Sequence, residues 1–365
     1  MSLELGVVGL PNVGKSTLFN ALTKGHALVA SYPFTTIEPN LGVVTVPDTR
    51  LEEIAAIVHP EKVVPSTLRV VDIAGLVKGA SEGEGLGNQF LGHIRTVDAI
   101  AIVVRTFENP DIPRVTEELD PCLDVETVRL ELILADLATL ERRREKVAGS
   151  AKAKPAVYER QLAALELLRQ RLDQGQSVRG SALTPEETEL AHELDLLTAK
   201  PFIYVANVSE SDLPGGGPLI GPLRRLADKE QAELVVICAQ CEAELAEWPA
   251  EDATAYLREL GVERQGLDCF IEAGYRLLNL ITFFTTTGGK EVRAWPVLRD
   301  TSVIEAAGRV HTDMQRGFIR AEVVSYDDLI REGSTVAVRE KGLMHLEGKD
   351  YIVQDGDIIH IRFNV

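Results

Sequence analysis

Short runs of apolar, often β-branched residues alternate with amphipathic stretches over the first 120 residues of the chain. LGVVGL, LGVVTV, LRVVDIAG and DAIAIVVRTF are nearly continuous in apolar residues. Such runs are typical of strands that are buried on both faces of a parallel sheet. PFIYVANV and AELVVICAQ resume the pattern after residue 200. The pattern predicts an α/β domain whose sheet is interrupted and later completed.

A helical stretch fills the interruption. Apolar residues recur there every three or four positions in two runs, which are Leu130, Ile133, Leu137 and Leu140, then Leu162, Leu165, Leu168 and Leu172. GSAKAKP separates the runs, so we expect an antiparallel helical hairpin. Thr184-Pro185-Glu186-Glu187 predicts a third helix, because it matches a capping box with proline at the first helical position.

The last 85 residues have a different pattern. VRAWPVL, FIRAEVV, STVAVRE, DYIVQ and DIIHIRF are strand-like, and Asp355-Gly356 indicates a tight hairpin turn. SVIEAAGRVH predicts one helix, capped by Thr301 or Ser302. We therefore expect an α/β domain in residues 1–125 and 201–280, a helical insertion in residues 126–200, and a small α+β domain in residues 281–365.

Composition narrows the class of protein. The 365 residues carry a net charge of −18, which argues against indiscriminate nucleic-acid binding. We also expect no sequence-specific DNA partner. No apolar run approaches the roughly 18 residues of a membrane span, and four cysteines are too few for a disulfide framework. We expect a cytoplasmic protein that has reduced thiols and no membrane partner.

The glycine-rich sequence Gly9-Leu-Pro-Asn-Val-Gly14-Lys15-Ser16 matches the P-loop pattern, between a predicted strand and a predicted helix. Its backbone N–H groups and the helix N-terminus would bind phosphates, and Lys15 would reach the β- and γ-phosphate oxygens. The Ser16 hydroxyl would ligate Mg²⁺. The predicted nucleotide-binding residues of this loop are Asn12, Val13, Gly14, Lys15, Ser16 and Thr17.

Two further elements favour a nucleotide-controlled switch. Asp72-Ile73-Ala74-Gly75 ends a predicted strand, where Asp72 would lie on the Mg²⁺ side and Gly75 would meet the γ-phosphate. In the loop PFTTIEP, Thr36 would ligate Mg²⁺ only while the γ-phosphate is present. Lys15, Asp72, Gly75 and Thr36 are therefore the predicted catalytic residues. The glycines of KGASEGEGLGN would make the following segment a mobile switch.

GLPNVGKST, YPFTTIEPNLG and DIAGLVKGASEGEGLGNQFL resemble the Obg-like ATPase (YchF) family of P-loop NTPases. The resemblance covers essentially the whole chain. It implies a Ras/Obg-like nucleotide domain with an inserted helical hairpin and a C-terminal TGS domain of β-grasp fold. It also implies an ATP-preferring hydrolase that associates with the ribosome.

The predicted base site departs from the guanine-reading pattern N-K-x-D. Asn207-Val208-Ser209-Glu210 follows a predicted strand, so valine replaces the lysine and glutamate replaces the aspartate. A charge-assisted hydrogen bond contributes roughly 1.5–3 kcal/mol, so a displaced carboxylate weakens the preference for guanine. We expect the Asn207 carboxamide oxygen to accept from the adenine amino group. Cys238 and Ala239 form the predicted second base loop, in preference to a redox pair with Cys241.

The group that orients the attacking water and the surface that contacts the ribosome leave alternatives open. Leu76 occupies the place of the water-orienting glutamine of Ras-like enzymes, so we expect slow turnover. Arg114 either stabilises the charge of the γ-phosphate or is a solvated surface residue. A basic stretch from Arg142 to Lys154 would dock the insertion on ribosomal phosphates. The C-terminal domain is a second candidate contact through the family resemblance. A GTPase of the same architecture and a nucleotide-stabilised adaptor without turnover are the alternative functions.

Overall fold

The computed structural model describes residues 3–26, 41–73, 86–113, 119–151, 155–287 and 289–364. The chain divides into two compact units. The first unit comprises Met1–Gly42 and Arg69–Gly274, and the second comprises Val43–Leu68 and Tyr275–Val365. The second unit therefore combines the C-terminal residues with a segment from near the start of the chain.

The strands are β1 (Glu4–Val8), β2 (Leu41–Thr45), β3 (Lys62–Val64), β4 (Thr67–Asp72), β5 (Ala99–Arg105), β6 (Phe202–Asn207), β7 (Leu234–Ile237), β8 (Leu280–Thr287), β9 (Glu291–Leu298), β10 (Phe318–Val324), β11 (His345–Glu347) and β12 (Ile358–Phe363). The helices are α1 (Lys15–His26), α2 (Thr49–Val58), α3 (Leu86–Thr96), α4 (Pro121–Ala151), α5 (Pro155–Asp173), α6 (Pro185–Glu193), α7 (Ile220–Lys229), α8 (Ala239–Leu245), α9 (Ala250–Glu259), α10 (Gly266–Leu277), α11 (Val303–Val310), α12 (Thr312–Arg316), α13 (Tyr326–Glu332) and α14 (Thr335–Glu340).

The first unit contains a sheet in which β4, β1, β5, β6 and β7 are neighbours in that order. Strands β4, β1, β5, β6 and β7 pair in parallel. All seven residues of β5 are buried, as continuous apolar strands in a covered parallel sheet must be. The predicted parallel α/β fold is confirmed. Because the strands are parallel, their carboxyl ends share one edge of the sheet, which is where ligands bind in such folds.

The insertion forms the expected helical hairpin, in which α4 packs against α5 and α5 against α6. Its core is apolar and buried, and it includes Ile133, Leu140, Val147, Leu165, Leu168, Leu172, Leu190 and Ala191. The predicted cap of α6 is confirmed. The Thr184 hydroxyl accepts from the Glu187 backbone N–H, and the Glu187 carboxylate accepts from the Thr184 N–H.

The predicted helix over Leu130 to Leu140 is present, but Leu130 itself is 51% exposed. The first turns of α4 bury another face, made by Val125, Val128 and Leu132. These three residues are not part of the buried cluster of the hairpin, and α4 contacts β5 as well as α5. The apolar spacing therefore located the helix, while packing decided which of its faces is buried.

The second unit is α+β, with the strand order β11-β10-β12-β8-β9-β3. Its pairings are mixed: β8–β9, β10–β12 and β10–β11 are antiparallel, and β12–β8 and β3–β9 are parallel. The expected C-terminal β-grasp type of fold agrees with this arrangement. The predicted helix α11 is also confirmed, with Ser302 and Glu305 forming its capping box.

Residues 43–68 belong to this second unit, although the sequence pattern assigned them to the nucleotide domain. Strand β3 adds to the C-terminal sheet beside β9, and Leu51 and Ile54 of α2 pack with Phe284 and Val292. Arg50 joins them, because its guanidinium donates to Asp355 at 3.0 Å. These contacts bridge more than 200 residues of chain, so no local pattern could indicate them.

Two strand predictions in the second unit are wrong. STVAVRE forms helix α14, because the Ser334 hydroxyl accepts from the Ala337 N–H and caps it, and Val338 is fully buried. DYIVQ contributes a single bridge, between Ile352 and Ser302, instead of a strand. Its backbone pairs with residues 301–303, through Val303 N–H to Tyr351 O and Val353 N–H to Thr301 O.

Candidate functional site

A cavity of about 700 Å³ opens at the carboxyl edge of the first unit's sheet. Pockets of roughly 300–1,000 Å³ are typical of small-molecule sites. Three groups of residues line it: Asn12, Gly14, Lys15, Ser16 and Thr17 from the glycine-rich loop and α1; Phe107, Glu108, Asn109, Asp111, Ile112 and Pro113 after β5; and Asn207, Val208, Ser209, Glu210, Cys238, Gln240 and Cys241 after β6 and β7. The structure thus brings together the predicted phosphate loop and both predicted base loops.

The glycine-rich loop leads from β1 into α1, whose first residue is Lys15. Gly14 has a φ of +97°, and a Cβ atom there would lie 2.1 Å from the Asn207 Nδ2 atom. Only glycine allows this backbone conformation together with this close approach. The N-terminal residues of α1 line the cavity, so the positive dipole end of this helix could bind an anion there. Val13, predicted as a nucleotide-binding residue, is buried behind the loop at 2% exposure.

Lys15 is largely buried, and its ammonium donates to the Leu10 carbonyl at 2.7 Å. Burial lowers the pKa of Lys15 to about 8, against the opposing effect of the Asp72 carboxylate. The positive charge is therefore incompletely compensated within the protein. A phosphate oxygen in the cavity would supply the missing negative charge.

Asp72 ends β4 beside the glycine-rich loop, and its register partner on β1 is Val7. The Ser16 hydroxyl donates to Asp72 Oδ2 at 3.4 Å. Asp72 Oδ1 is buried without a hydrogen-bond partner. Burial raises the pKa of Asp72, and Lys15 and Ser16 oppose that shift. A buried carboxylate oxygen that lacks a partner, next to a hydroxyl, fits the all-oxygen surroundings that Mg²⁺ prefers.

Several predicted residues lie outside the described residues. They are Thr36 and the neighbouring Thr35, Gly75, Leu76 and Arg114. Their predicted roles in metal binding, γ-phosphate sensing and hydrolysis stay predictions.

At the base end, Asn207 connects the glycine-rich loop with the second base loop. Its Nδ2 donates to the Val13 carbonyl at 2.9 Å, and its Oδ1 accepts from the Ala239 N–H at 3.0 Å. The side chain is buried at 5% exposure. Its oxygen is thus engaged within the protein, rather than held ready for the adenine amino group as we expected. The structure assigns Asn207 a bracing function between the two loops.

The two residues that depart from the guanine-reading pattern also line this end. Val208 is buried at 2% exposure and is apolar, so it offers no charge to a base. Glu210 lies in a short 3-10 helix, where its Oε1 accepts from the Tyr256 hydroxyl at 2.9 Å. Its carboxylate is therefore held by a neighbouring side chain as well as facing the cavity.

Cys238 and Cys241 line the same end and are both buried and free. A hydrogen bond from the Cys241 thiol lowers the pKa of Cys238, and that bond also raises the pKa of Cys241. Among the described residues, no group of three or more histidine, cysteine, aspartate or glutamate side chains is arranged to hold a metal ion. The prediction that these cysteines belong to the base loop, rather than to a redox pair, stays a prediction.

Sequence reasoning missed the segment 107–113, which forms one side of the cavity. We name it the wall. Its far end is tied to the glycine-rich loop, since Asn12 Nδ2 donates to the Pro113 carbonyl at 3.2 Å. The only available signal was its position directly after a buried strand, at the edge where parallel sheets bind ligands.

Comparisons with known proteins agree with this geometry. Residues 4–135 match a family model described as a 50S ribosome-binding GTPase, and residues 280–364 match YchF-GTPase_C, described as a protein of unknown function. The chain is 49% identical over its whole length to the full-length ribosome-binding ATPase YchF of Bacillus subtilis. It is 47% identical, again over both full lengths, to the protein of that name from Escherichia coli O157:H7. This chain belongs to the YchF family.

Solved structures support the membership. The YchF GTPase of Schizosaccharomyces pombe superimposes with a TM-score of 0.88 at 36% identity, covering 99% of this chain and 98% of that one. A GTP-binding protein from Pyrococcus horikoshii shares the fold at a TM-score of 0.62 and 20% identity, covering 99% of this chain and 100% of that one. No helix among the described residues is both long and apolar enough to cross a membrane.

Proposed function

We propose that this YchF-family chain is a Mg²⁺-dependent ATPase that prefers ATP to GTP, turns over slowly by itself and acts as a nucleotide-controlled switch on the ribosome. The base end of the cavity carries the proposal. Val208 is buried and apolar there, and Glu210 is engaged by Tyr256, so the lysine and aspartate that read guanine have no counterpart. The bacterial relatives are named ribosome-binding ATPases, which supports the same conclusion.

Base choice is tested by competition. Unlabelled ATP and GTP are titrated against a fluorescent ADP analogue, and ATP should displace it at the lower concentration. The double variant Val208→Lys, Glu210→Asp should gain affinity for GTP, because it restores the charge and the side-chain length that guanine requires. Tyr256→Phe is the matched control, since it only releases the Glu210 carboxylate. GTP binding as tight as ATP binding in the unaltered protein would contradict the proposal.

The phosphate end supports triphosphate chemistry. Lys15 and the N-terminus of α1 would bind and orient the phosphates, while Ser16 and Asp72 would hold Mg²⁺, directly and through water respectively. When bound, the metal ion supplies positive charge that offsets the charge developing on the phosphate oxygens. Thr36 remains our proposed second hydroxyl ligand. Thr36→Ala should reduce the difference between ATP and ADP affinity and leave ADP affinity nearly intact, and loss of ADP binding would argue for a structural role.

Slow turnover follows from Leu76, which offers no hydrogen bond to an attacking water. We expect phosphate release well below the roughly 1–10³ s⁻¹ that is usual for enzymes. Multiple-turnover phosphate release measures this rate, with and without ribosomes. Rapid release by the isolated protein would show that another group orients the water, and Arg114 would be the first to replace.

For the ribosome contact we propose the basic stretch of α4. Its charge is more compensated than the sequence indicates, because Arg143 pairs with Glu193 at 2.5 Å and Arg144 with Glu141 at 2.6 Å. Arg142 donates to its own helix, at the Ala138 carbonyl. A guanidinium has five N–H donors, so an approaching phosphate can still compete for these paired arginines.

Charge removal is a cleaner test than charge reversal here, because it leaves no new repulsion inside the hairpin. Replacing all three arginines, 142 to 144, with glutamine should weaken co-sedimentation with ribosomes and lower its salt dependence, since phosphate contacts release counterions. Arg224→Gln with Arg225→Gln on α7 is the control, since it removes exposed cations elsewhere in the same unit. Unchanged co-sedimentation of the triple variant would leave the C-terminal unit as the proposed contact.

A GTPase of the same architecture is the second candidate, because the relative from Schizosaccharomyces pombe is titled a GTPase. The competition experiment separates it from the first. An adaptor that holds nucleotide without hydrolysis is the third candidate. It would bind ATP and ribosomes while releasing no phosphate over many equivalents of ATP.

A further inference from the structure

One buried cation beneath the nucleotide cavity has no part in the function described so far. Arg105 is the last residue of β5, and its register partner on β6 is Asn207. The side chain is 4% exposed. A buried arginine must have its donors satisfied, because the desolvation of an unpaired charge is costly. Where those donors point therefore indicates what the residue does.

The guanidinium of Arg105 donates to three backbone carbonyls of the wall. Nε reaches the Phe107 oxygen at 3.1 Å, Nη2 the Asn109 oxygen at 3.0 Å, and Nη1 the Ile112 oxygen at 3.3 Å. The guanidinium also lies 4.7 Å from the centroid of the Phe107 ring. One planar guanidinium thus binds three separate points along a loop that has no regular secondary structure.

The wall is held from its other side as well. Asn12, on the glycine-rich loop, donates to the Pro113 carbonyl. Within the wall, the Asp111 N–H donates to the Asn109 side-chain oxygen at 2.9 Å. The wall is therefore held between Arg105 below and the phosphate loop above, with one face towards the cavity.

We propose that Arg105 is a positioning residue that keeps the wall preformed against bound nucleotide and thereby sets the rate of nucleotide release. A loop that is ordered before binding loses little conformational entropy when the ligand arrives. Without the fork, the wall would open more often, and the ligand would leave faster. Association would change less, because affinity differences between related complexes arise mostly in dissociation. This inference rests on the proposal that the cavity holds a nucleotide.

The experiment measures release of a fluorescent ADP analogue, chased with excess unlabelled ADP in a stopped-flow instrument. Arg105→Gln should release it about tenfold faster or more, since three hydrogen bonds to the wall are lost. Arg105→Lys should fail to restore slow release, because an ammonium keeps the charge but cannot reach three carbonyls in one plane. The association rates of both variants should stay within about threefold of the unaltered protein.

Two further variants make the result specific. Arg179→Gln is the matched control: Arg179 also stacks on a phenylalanine, at 3.9 Å from the Phe202 centroid, and donates to a carbonyl, that of Glu230. It does not line the cavity, so release should be unchanged. Asn12→Gly loosens the wall from the opposite side without straining the backbone, whose φ at this position is +62°. It should also speed release, and it decides the matter if the Arg105 variants do not fold.

Each outcome has a distinct meaning. Unchanged release from Arg105→Gln and Arg105→Lys would overturn the inference, and so would full rescue by lysine, because charge alone would then suffice. If the Arg105 variants fail to fold, unchanged release from Asn12→Gly would overturn it. If the unaltered protein binds neither ADP nor ATP, the proposed function fails, and the inference fails with it.

Discussion

The brace made by Asn207 leads to a quantitative prediction about stability and nucleotide affinity. In Asn207→Ala, the Val13 carbonyl and the Ala239 N–H lose partners that lie at 2.9 and 3.0 Å. A buried polar group without a partner costs about 1–3 kcal/mol. The adjoining cavity gives water access to one side of this residue, so the lower part of that range applies to each group. We expect the free energy of unfolding to fall by about 2–4 kcal/mol.

Affinity should fall in the same variant, because the phosphate loop and the second base loop share this brace. Without it, ligand binding must order both loops. We expect ADP affinity to decrease about 10- to 100-fold, or about 1.4–2.7 kcal/mol. Urea unfolding followed by circular dichroism measures the first effect, and isothermal titration calorimetry with ADP measures the second. Asn20→Ala, on the exposed side of α1, should change stability by less than about 0.5 kcal/mol.

A double-mutant cycle examines the geometry directly. A methyl group at Gly14 would lie 2.1 Å from Asn207 Nδ2, so Gly14→Ala should be costly in the unaltered protein. Part of that cost should disappear when residue 207 is alanine, because the clashing atom is gone. The bracing function is refuted if Asn207→Ala changes unfolding by less than about 0.5 kcal/mol and ADP affinity by less than about threefold.

Three other changes probe charge and packing. Burial lowers the pKa of Lys15 to about 8, so Lys15 loses its positive charge as pH rises through 8 and nucleotide affinity should fall by up to about tenfold per pH unit. Nucleotide affinity that stays constant up to about pH 9.5 would contradict this prediction. Ile54→Ala removes a fully buried side chain from the second unit and should destabilise that unit by about 2–5 kcal/mol. Trp295 fluorescence in a Trp248→Phe background measures the unfolding of this unit. An unchanged unfolding midpoint would mean that residues 43–68 contribute little to this core. Burial is the main cause that raises the pKa of Asp124 to about 6, so the folded state favours its neutral form and the free energy of unfolding falls as pH rises from about 4 to 6. The free energy of unfolding of Asp124→Asn should lack this decrease between about pH 4 and 6. Identical pH profiles for the variant and the unaltered protein would refute this prediction.

Sequence by itself determined the features that depend on neighbouring residues. The glycine-rich loop lies between a strand and a helix that are contiguous with it, so its pattern was sufficient to place this loop between β1 and α1. The helix caps at Thr184 and Ser302 were also predictable from the sequence, because a capping box spans only four residues. The buried parallel strands were predictable too, since a strand with a continuous apolar run must be buried on both faces.

Tertiary structure decided what depends on residues distant in the chain. Asn207 braces Val13 across 194 positions, so its pattern suggested a base ligand and only the fold revealed a brace. STVAVRE has strand-like composition, yet capping by Ser334 and burial of Val338 make it a helix. Residues 43–68 join the second unit because Ile54 packs with Phe284, and Arg105 holds the wall because three loop carbonyls turn back towards it. Local patterns specify which element forms, whereas burial and hydrogen bonding between distant segments specify what each side chain does.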